Sequence, residues 1–536
     1  MSISRSFAVL AFFLLAAASA NAQTDPNLEQ GIKPYGGYDS TDFDSVSMVN
    51  GGLTIKIPLF SYPQRGKDLT LNLQLEYMSS GWGGSYIPPA PPKMTNLTFN
   101  GFKFDEDQRF YVDIGCVGAY AGLIKSPAVI AHDGASHQLG ETSVNQPHTV
   151  FGFESLDATG LKLSNFQYSS TTMVPGVITD RAGIQYTPTG FPSTLAWHGN
   201  YLPSYSKEDP NGNEITYNNL GSGWTDTLGR QIPVPPGLGG NITTDTTGCA
   251  GLFPITSAYL WTLPGPEGGS TQLKACFANI VLQTNFISST EEDTPCCEMS
   301  MMQTVIVYNG SSWSTSPAWI FEYNDRAPGD PSSVNYLSLT KVTFPTGGTI
   351  TYTYTTLNPI TSPGAVGYTR AVATKTVNAN DGTGNHTWNY SYSFSGYVGT
   401  NTVTDPLGNA TVYIETSLGT SHVSYYPTQV NYYTGSHSSG TLLKYVKTSY
   451  SYAAPTTDNA CRTDTSVVPV SVTTIWANNQ QAETITGYDS GFSFTDGSGV
   501  NFSAIYGLPT TKQDYDYGSS APGSLDRTGF FIPTLG

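Results

Sequence analysis

"DPNGN", Asp209 to Asn213, and "DPLGN", Asp405 to Asn409, place nearly the same five residues at two distant points of one chain. Three readings of the repeated aspartate compete: a catalytic carboxylate, an oxygen ligand for calcium, or the corner of a β-hairpin that recurs because the fold recurs. The neighbouring residues favour the corner. Proline at the first loop position fixes φ near the value of a type I turn, and glycine three residues after the aspartate accepts positive φ. In a three-residue hairpin loop a type I turn is followed by a left-handed residue that forms a G1 bulge. Pro210-Asn211-Gly212 and Pro406-Leu407-Gly408 fit that frame position by position. In the first hairpin this register sets Tyr205 opposite Tyr217, a cross-strand aromatic pair worth about 0.2 to 1 kcal/mol.

The frame extends outward. D-x-x-G recurs at Asp180/Gly183, Asp226/Gly229 and Asp496/Gly499, and "DPxGNxxxY" spans both Asp209 to Tyr217 and Asp405 to Tyr413. In "KVTFPTGGTITYTY", Lys341 to Tyr354, a two-residue Gly-Gly loop would split the apolar groups between two faces. A three-residue loop, Thr346-Gly347-Gly348, pairs Phe344 with Ile350 and Val342 with Tyr352 and gathers them on one face.

Period-two alternation also marks "LTIKIPLF" (Leu53 to Phe60) and "LTLNLQLEY" (Leu69 to Tyr77). Helical spacing is nearly absent beyond the first residues, and 56 glycines and 35 prolines interrupt any long helix. An all-β fold is expected.

These motifs, "DPNGNEITY", "DTLGRQIPV", "LTKVTFPTGGTITYTY", "VTDPLGNATVY", "ITGYDSG" and "YGLPTTKQDYDYG", together resemble the Rhs or YD-repeat family of large bacterial surface and secreted proteins. Gly31 to Gly66 resembles the region that precedes the repeats in exported members. The resemblance implies a β-rich N-terminal domain at 23–170 and an irregular YD-repeat region at 171–535, with a Cys-rich loop segment at 233–300. It further implies that antiparallel hairpins join into part of a spiral shell, which in many relatives encloses a C-terminal effector. The family's closing self-cleavage motif, DPxGL, is not matched at Asp405 to Asn409, so no protease role is carried over. The chain ends without a recognisable effector, which predicts a truncated member whose effector partner lies elsewhere.

Composition narrows the partners. Residues 1–22 have the form of a signal peptide, with Arg5, an apolar run from Phe7 to Ala18, and an Ala20-Asn21-Ala22 cleavage site. No other stretch reads as a transmembrane segment, so an exported protein, secreted or at the cell surface, is expected. Only 12% of residues are charged, while 34 are tyrosine. A formal charge of −17 repels nucleic acid and anionic lipid on average. Cys116, Cys249, Cys276, Cys296, Cys297 and Cys461 lack any CxxC spacing, so disulfides are expected, two of them within Cys249 to Cys297.

The remaining candidates have bland readings beside the functional ones. Asp105-Glu106-Asp107 and the pair Asp514 and Asp516 offer oxygens for calcium, but without the ligand spacing of a known loop they read as solvated acidic loops. His132 and His137 in "HDGASH" read as a polar loop, since nothing nearby completes a metal site. Trp313, Trp319, Trp388 and Trp476 would stack on sugars if exposed, whereas strand tryptophans more often fill a core. No G-x-S-x-G, H-E-x-x-H or P-loop is present. No catalytic, cofactor-binding or metal residue is assigned, and no cofactor is expected. The leading expectation is a non-enzymatic scaffold for effector containment or secretion, or for contact with a cell-surface protein or glycan. The alternative is a secreted carbohydrate-binding or carbohydrate-active β protein.

Overall fold

The computed structural model describes residues 31–531, except 67, 80–81, 86–92, 97–100, 107–109, 114–127, 145–149, 169–172, 175, 189–203, 219–222, 236–240, 266–267, 287–294, 358–367, 419–423, 453–466 and 496–500. The signal-peptide reading of residues 1–22 and the Asp496/Gly499 turn lie outside these residues. The described chain is all-β, with a 3₁₀ turn at Trp313–Thr315 and no α-helix among the described residues.

One hydrogen-bond pattern closes the D-x-x-G hairpins. The Asp209 N–H donates to the Asn213 carbonyl at 3.0 Å, and the Asp209 carbonyl accepts the Gly212 N–H at 3.0 Å. One carboxylate oxygen of Asp209 accepts the N–H groups of Asn211 and Asn213, both at 2.9 Å. The other accepts the Asn213 side-chain amide at 2.7 Å. Asp405 repeats every one of these bonds with Gly408, Leu407 and Asn409. Asp180 and Asp226 repeat the backbone part, and Arg230 Nε takes the place of the asparagine amide on Asp226 at 2.6 Å. Gly212 and Gly408 stand at φ 78° and 84°, the left-handed conformation that the bulge requires. The strands then fall into the expected register, Tyr205 opposite Tyr217 with ring centroids 5.3 Å apart.

The same main-chain frame operates without aspartate at Ala131 to Ala135 and at Phe344 to Gly348. The second case corrects the expected register. Val342 lies opposite Ile350 and Thr343 opposite Thr349, so the loop is Pro345-Thr346-Gly347. Pro345 holds the position of Pro210, and Gly347, at φ 84°, holds that of Gly212. A shift by two residues keeps the faces, and Val342, Ile350, Tyr352 and Tyr354 are all buried.

Sequential hairpins of this kind build two large antiparallel sheets. The middle sheet has 12 strands, from Phe110–Asp113 to Gln231–Ile232, and it continues across residue 170. The large sheet has 18, from Asn241–Thr243 to Leu525–Phe530. A smaller five-stranded sheet, from Tyr38–Ser40 to Lys103–Glu106, packs against both. Its strand Leu53–Pro63 buries alternate residues Leu53, Ile55 and Ile57, and these join one continuous core with Phe153, Ile215, Phe321 and Val372. The core therefore crosses all three sheets. Beyond Ser424–Thr434 the large sheet changes character: Thr441–Ser451 and Gln480–Tyr488 are half-buried or exposed along both faces, as in a single layer. Tyr506 and Gly507 bring this part back to the middle sheet, Tyr506 beside Gly140 of the strand Ser136–Val144 and Gly507 beside Ala158.

Gly408 has open space where a Cβ would stand, so conformation alone opposes a side chain there. Gly408→Ala should lower the free energy of unfolding by about 1–2 kcal/mol, measured by denaturant titration. Gly408→Asn should cost less, because Asn479 already occupies the equivalent left-handed position of the Trp476 to Gln480 turn at φ 62°.

Candidate functional site

Two features stand out from the packing: a buried polar seam around the five-stranded sheet and an exposed groove at one end of the large sheet. The seam begins at the first strands. Asp44 accepts the Tyr352 hydroxyl at 2.7 Å and pairs with Lys375 at 3.1 Å, with all three side chains buried. Burial pushes the Tyr352 hydroxyl far above its ordinary pKa and the Asp44 charge adds to the shift, so Tyr352 remains a donor. Asp39 accepts the Tyr390 hydroxyl at 2.6 Å, and the Met48 carbonyl accepts the Asn401 amide at 2.6 Å. On the opposite side Glu106 pairs with Lys207 at 2.9 Å, and Gln64 donates to Asp226 at 3.3 Å. The small sheet is thus bonded to both larger sheets.

The seam corrects the reading of the acidic stretch Asp105-Glu106-Asp107. Asp105 and Glu106 sit on a buried strand, not in a solvated loop, because that strand is inserted against the middle sheet; Asp107 lies outside the described residues. Asp105 pairs with Lys103 at 3.1 Å. Asp514 lies on the strand Pro509–Ser519, paired with Arg527 at 2.6 Å. His132 and His137 do not converge: His132 Nδ1 meets Glu76 at 3.1 Å, and His137, on the strand Ser136–Val144, meets Asp157 at 2.7 Å. Among the described residues no three His, Cys, Asp or Glu side chains gather as a metal site would require. Asp209 and Asp405 are spent on their turns.

One disulfide joins Cys249 to Cys276, with Cα atoms 5.9 Å apart. It closes a loop whose restriction in the unfolded chain is worth about 3–4 kcal/mol in the chain-entropy model. Cys116 and Cys461 and the side chains of Cys296 and Cys297 lie outside the described residues, so the second expected bridge does too.

Of the four candidate tryptophans, Trp319 clusters with Phe344 and Phe43. Lys274 and Lys375 lie over the rings of Trp313 and Trp388, at 4.3 and 5.1 Å. Trp476 differs, being 38% exposed. It borders a groove of about 580 Å³ lined by Leu443, Trp476, Ala477, Asn478, Gln480 and Tyr517. The groove forms where the turn after Trp476 meets the strand Thr441–Ser451 and the end of Pro509–Ser519. Trp476 was legible as a candidate; Leu443 and Tyr517 were not, since only the strand pairing brings them beside it.

Comparison with known proteins gives no family model and no curated relative. Among solved structures, the chain is similar to that titled "Crystal Structure of TcdB2-TccC3", with 10% identity and a TM-score of 0.21 over 89% of this chain and 24% of that one. It is also similar to "Crystal Structure of TcdB2-TccC3-Cdc42", with 11% identity and a TM-score of 0.16 over 91% of this chain and 25% of that one. A porin-like protein from Bacteroides uniformis ATCC 8492 aligns at 11% identity and a TM-score of 0.16, over 64% of this chain and all of that one (100%). The chain thus spans about a quarter of the length of the TcdB2-TccC3 chain. Among the described residues no helix is long and apolar enough to cross a membrane.

Two predictions follow from the seam. Lys207→Met should destabilise the protein by about 3–5 kcal/mol, because Glu106 is left charged and buried. The double variant Lys207→Met/Glu106→Leu should recover much of that loss in denaturant titrations.

Acid should weaken the middle sheet. Burial raises the Asp157 pKa, but the hydrogen bond and charge of His137 and the bonds from Thr159 outweigh it and hold the carboxyl below its usual range. Burial likewise raises Asp133, and Lys56, His132 and backbone N–H groups outweigh it. Groups whose folded pKa is depressed stabilise fully above their unfolded value of about 3.9 and lose that contribution as pH falls through the folded value. Stability should therefore decline below about pH 5, and Asp157→Asn should flatten part of the decline.

Proposed function

We propose that this chain is an exported, non-enzymatic scaffold of the Rhs or YD-repeat type, part of a shell wall that serves containment or secretion of an effector, or contact at a cell surface. The observation that supports this reading most is the large sheet itself. Hairpin follows hairpin through 18 strands, and toward its end the sheet stands as a single layer half-exposed on both faces. A layer of that kind separates two spaces, which is the physical task of a wall. The turn chemistry supports the same reading, since one local frame repeated along the sequence adds strands without new long-range specification.

In this reading residues 1–22 direct export and are removed. Residues 23–170 supply the inserted sheet and the first part of the wall, and 171–535 supply the repeat region. For containment the partner is an effector polypeptide; for surface contact it is a cell-surface protein or glycan.

The test is expression in a bacterial host with fractionation, N-terminal sequencing and limited proteolysis of the exported product. A product beginning at Gln23 and retaining a large protease-resistant β-core is expected. A chain retained in the cytoplasm with residues 1–22 attached would overturn export. Release of reducing sugar from polysaccharide by the purified protein would overturn the non-enzymatic reading.

A further inference from the structure

We propose that the groove bordered by Leu443, Trp476 and Tyr517 is a binding site for uncharged glycans, with Trp476 as the stacking platform. This goes beyond the wall reading and stands on separate observations. The first is the exposure of three large apolar side chains together: Leu443 at 45%, Trp476 at 38% and Tyr517 at 52%. All three line one shallow, open groove.

The second observation is how the indole is held. Trp476 pairs across the sheet with Lys444, which in turn pairs with Tyr432. The Lys444 ammonium lies 5.2 Å from the Trp476 ring and 4.8 Å from the Tyr432 ring. A cation between two aromatic rings favours one orientation of both, so the indole is positioned before any ligand arrives. The Trp476 backbone carbonyl also accepts the Asn479 N–H at 2.8 Å, which fixes the turn that carries the ring.

The third is the chemistry of the lining. A pyranose offers an apolar face of C–H bonds to an aromatic ring and a rim of hydroxyls that need hydrogen-bond partners. Asn478 and Gln480 supply side-chain amides, already ordered by a 3.1 Å bond from Asn478 Nδ2 to Gln480 Oε1, and Tyr517 supplies a phenol. None of the six lining residues carries a carboxylate, an amine or a guanidinium, and the neighbouring Lys444 ammonium is engaged by the Trp476 and Tyr432 rings. The net charge of −17 further disfavours polyanions. The occupant that fits apolar face, amide rim and neutral lining together is an uncharged sugar chain.

The full-length exported protein would be titrated with cellohexaose, xylohexaose and chitohexaose, following tryptophan fluorescence and calorimetry. Saturable binding of at least one sugar is expected. Trp476→Ala should weaken it about tenfold or more, as loss of one aromatic contact implies, and Tyr517→Ala should act in the same direction. Leu407→Ala, at an 85% exposed hairpin tip elsewhere, should change nothing. Should Trp476→Ala fail to fold, Tyr517→Ala and Asn478→Ala carry the test. No binding at low-millimolar sugar, or equal binding by wild type and all groove variants, overturns the proposal. It is equally overturned if the groove variants change only the oligomeric state, which would make the occupant a second copy of the chain.

Discussion

Insertion of the five-stranded sheet between two larger ones is the constraint on which the rest depends. A sheet face of alternating Leu, Ile and Tyr needs cover, and the middle and large sheets meet that need through the same small sheet. Its apolar residues complete a core that runs from Val46 to Val403. Its polar groups are paired across both contacts, Asp44 with Lys375 and Glu106 with Lys207. Buried pairs of this kind contribute little net stability relative to apolar residues of the same shape, yet breaking one is costly. In this protein they act as docking keys: a shift of the inserted sheet by one residue would turn both carboxylates to the wrong face.

The large sheet answers a different demand. Eighteen strands in one sheet would be slow to assemble if their pairings were distant, but nearly all are consecutive hairpins. Loop closure is then local, and the entropic cost of each pairing stays small. The repeated turn supplies this economy. Its aspartate satisfies two backbone N–H groups inside a loop that has no partner strand to do so, and its glycine provides the left-handed corner.

Where the inserted sheet no longer reaches, the large sheet must stand alone. Its two faces there carry Thr, Ser, Tyr and Lys, a composition that tolerates water on both sides while keeping aromatic area for cross-strand contact. Lys444 between Tyr432 and Trp476 shows the device, a cation–π ladder in place of a core. The groove beside Trp476 arises because such a layer covers its aromatic groups incompletely at its end.

Sequence alone determined the all-β class, the turn frame and the Tyr205/Tyr217 register, because these depend on φ preferences and period-two alternation within a dozen neighbouring residues. The register at Phe344 was misplaced by two residues because adjacent Gly347 and Gly348 both offer a left-handed corner. Pro345, in the place of Pro210, carried the deciding signal. Tertiary structure alone decided that Asp105 and Glu106 are buried, since Lys207 comes from a distant strand. It alone decided that Trp319, partly buried, packs against the core while Trp476 borders a groove. Burial and ion pairing are set by which sheet covers which, and that is a long-range choice no local pattern encodes.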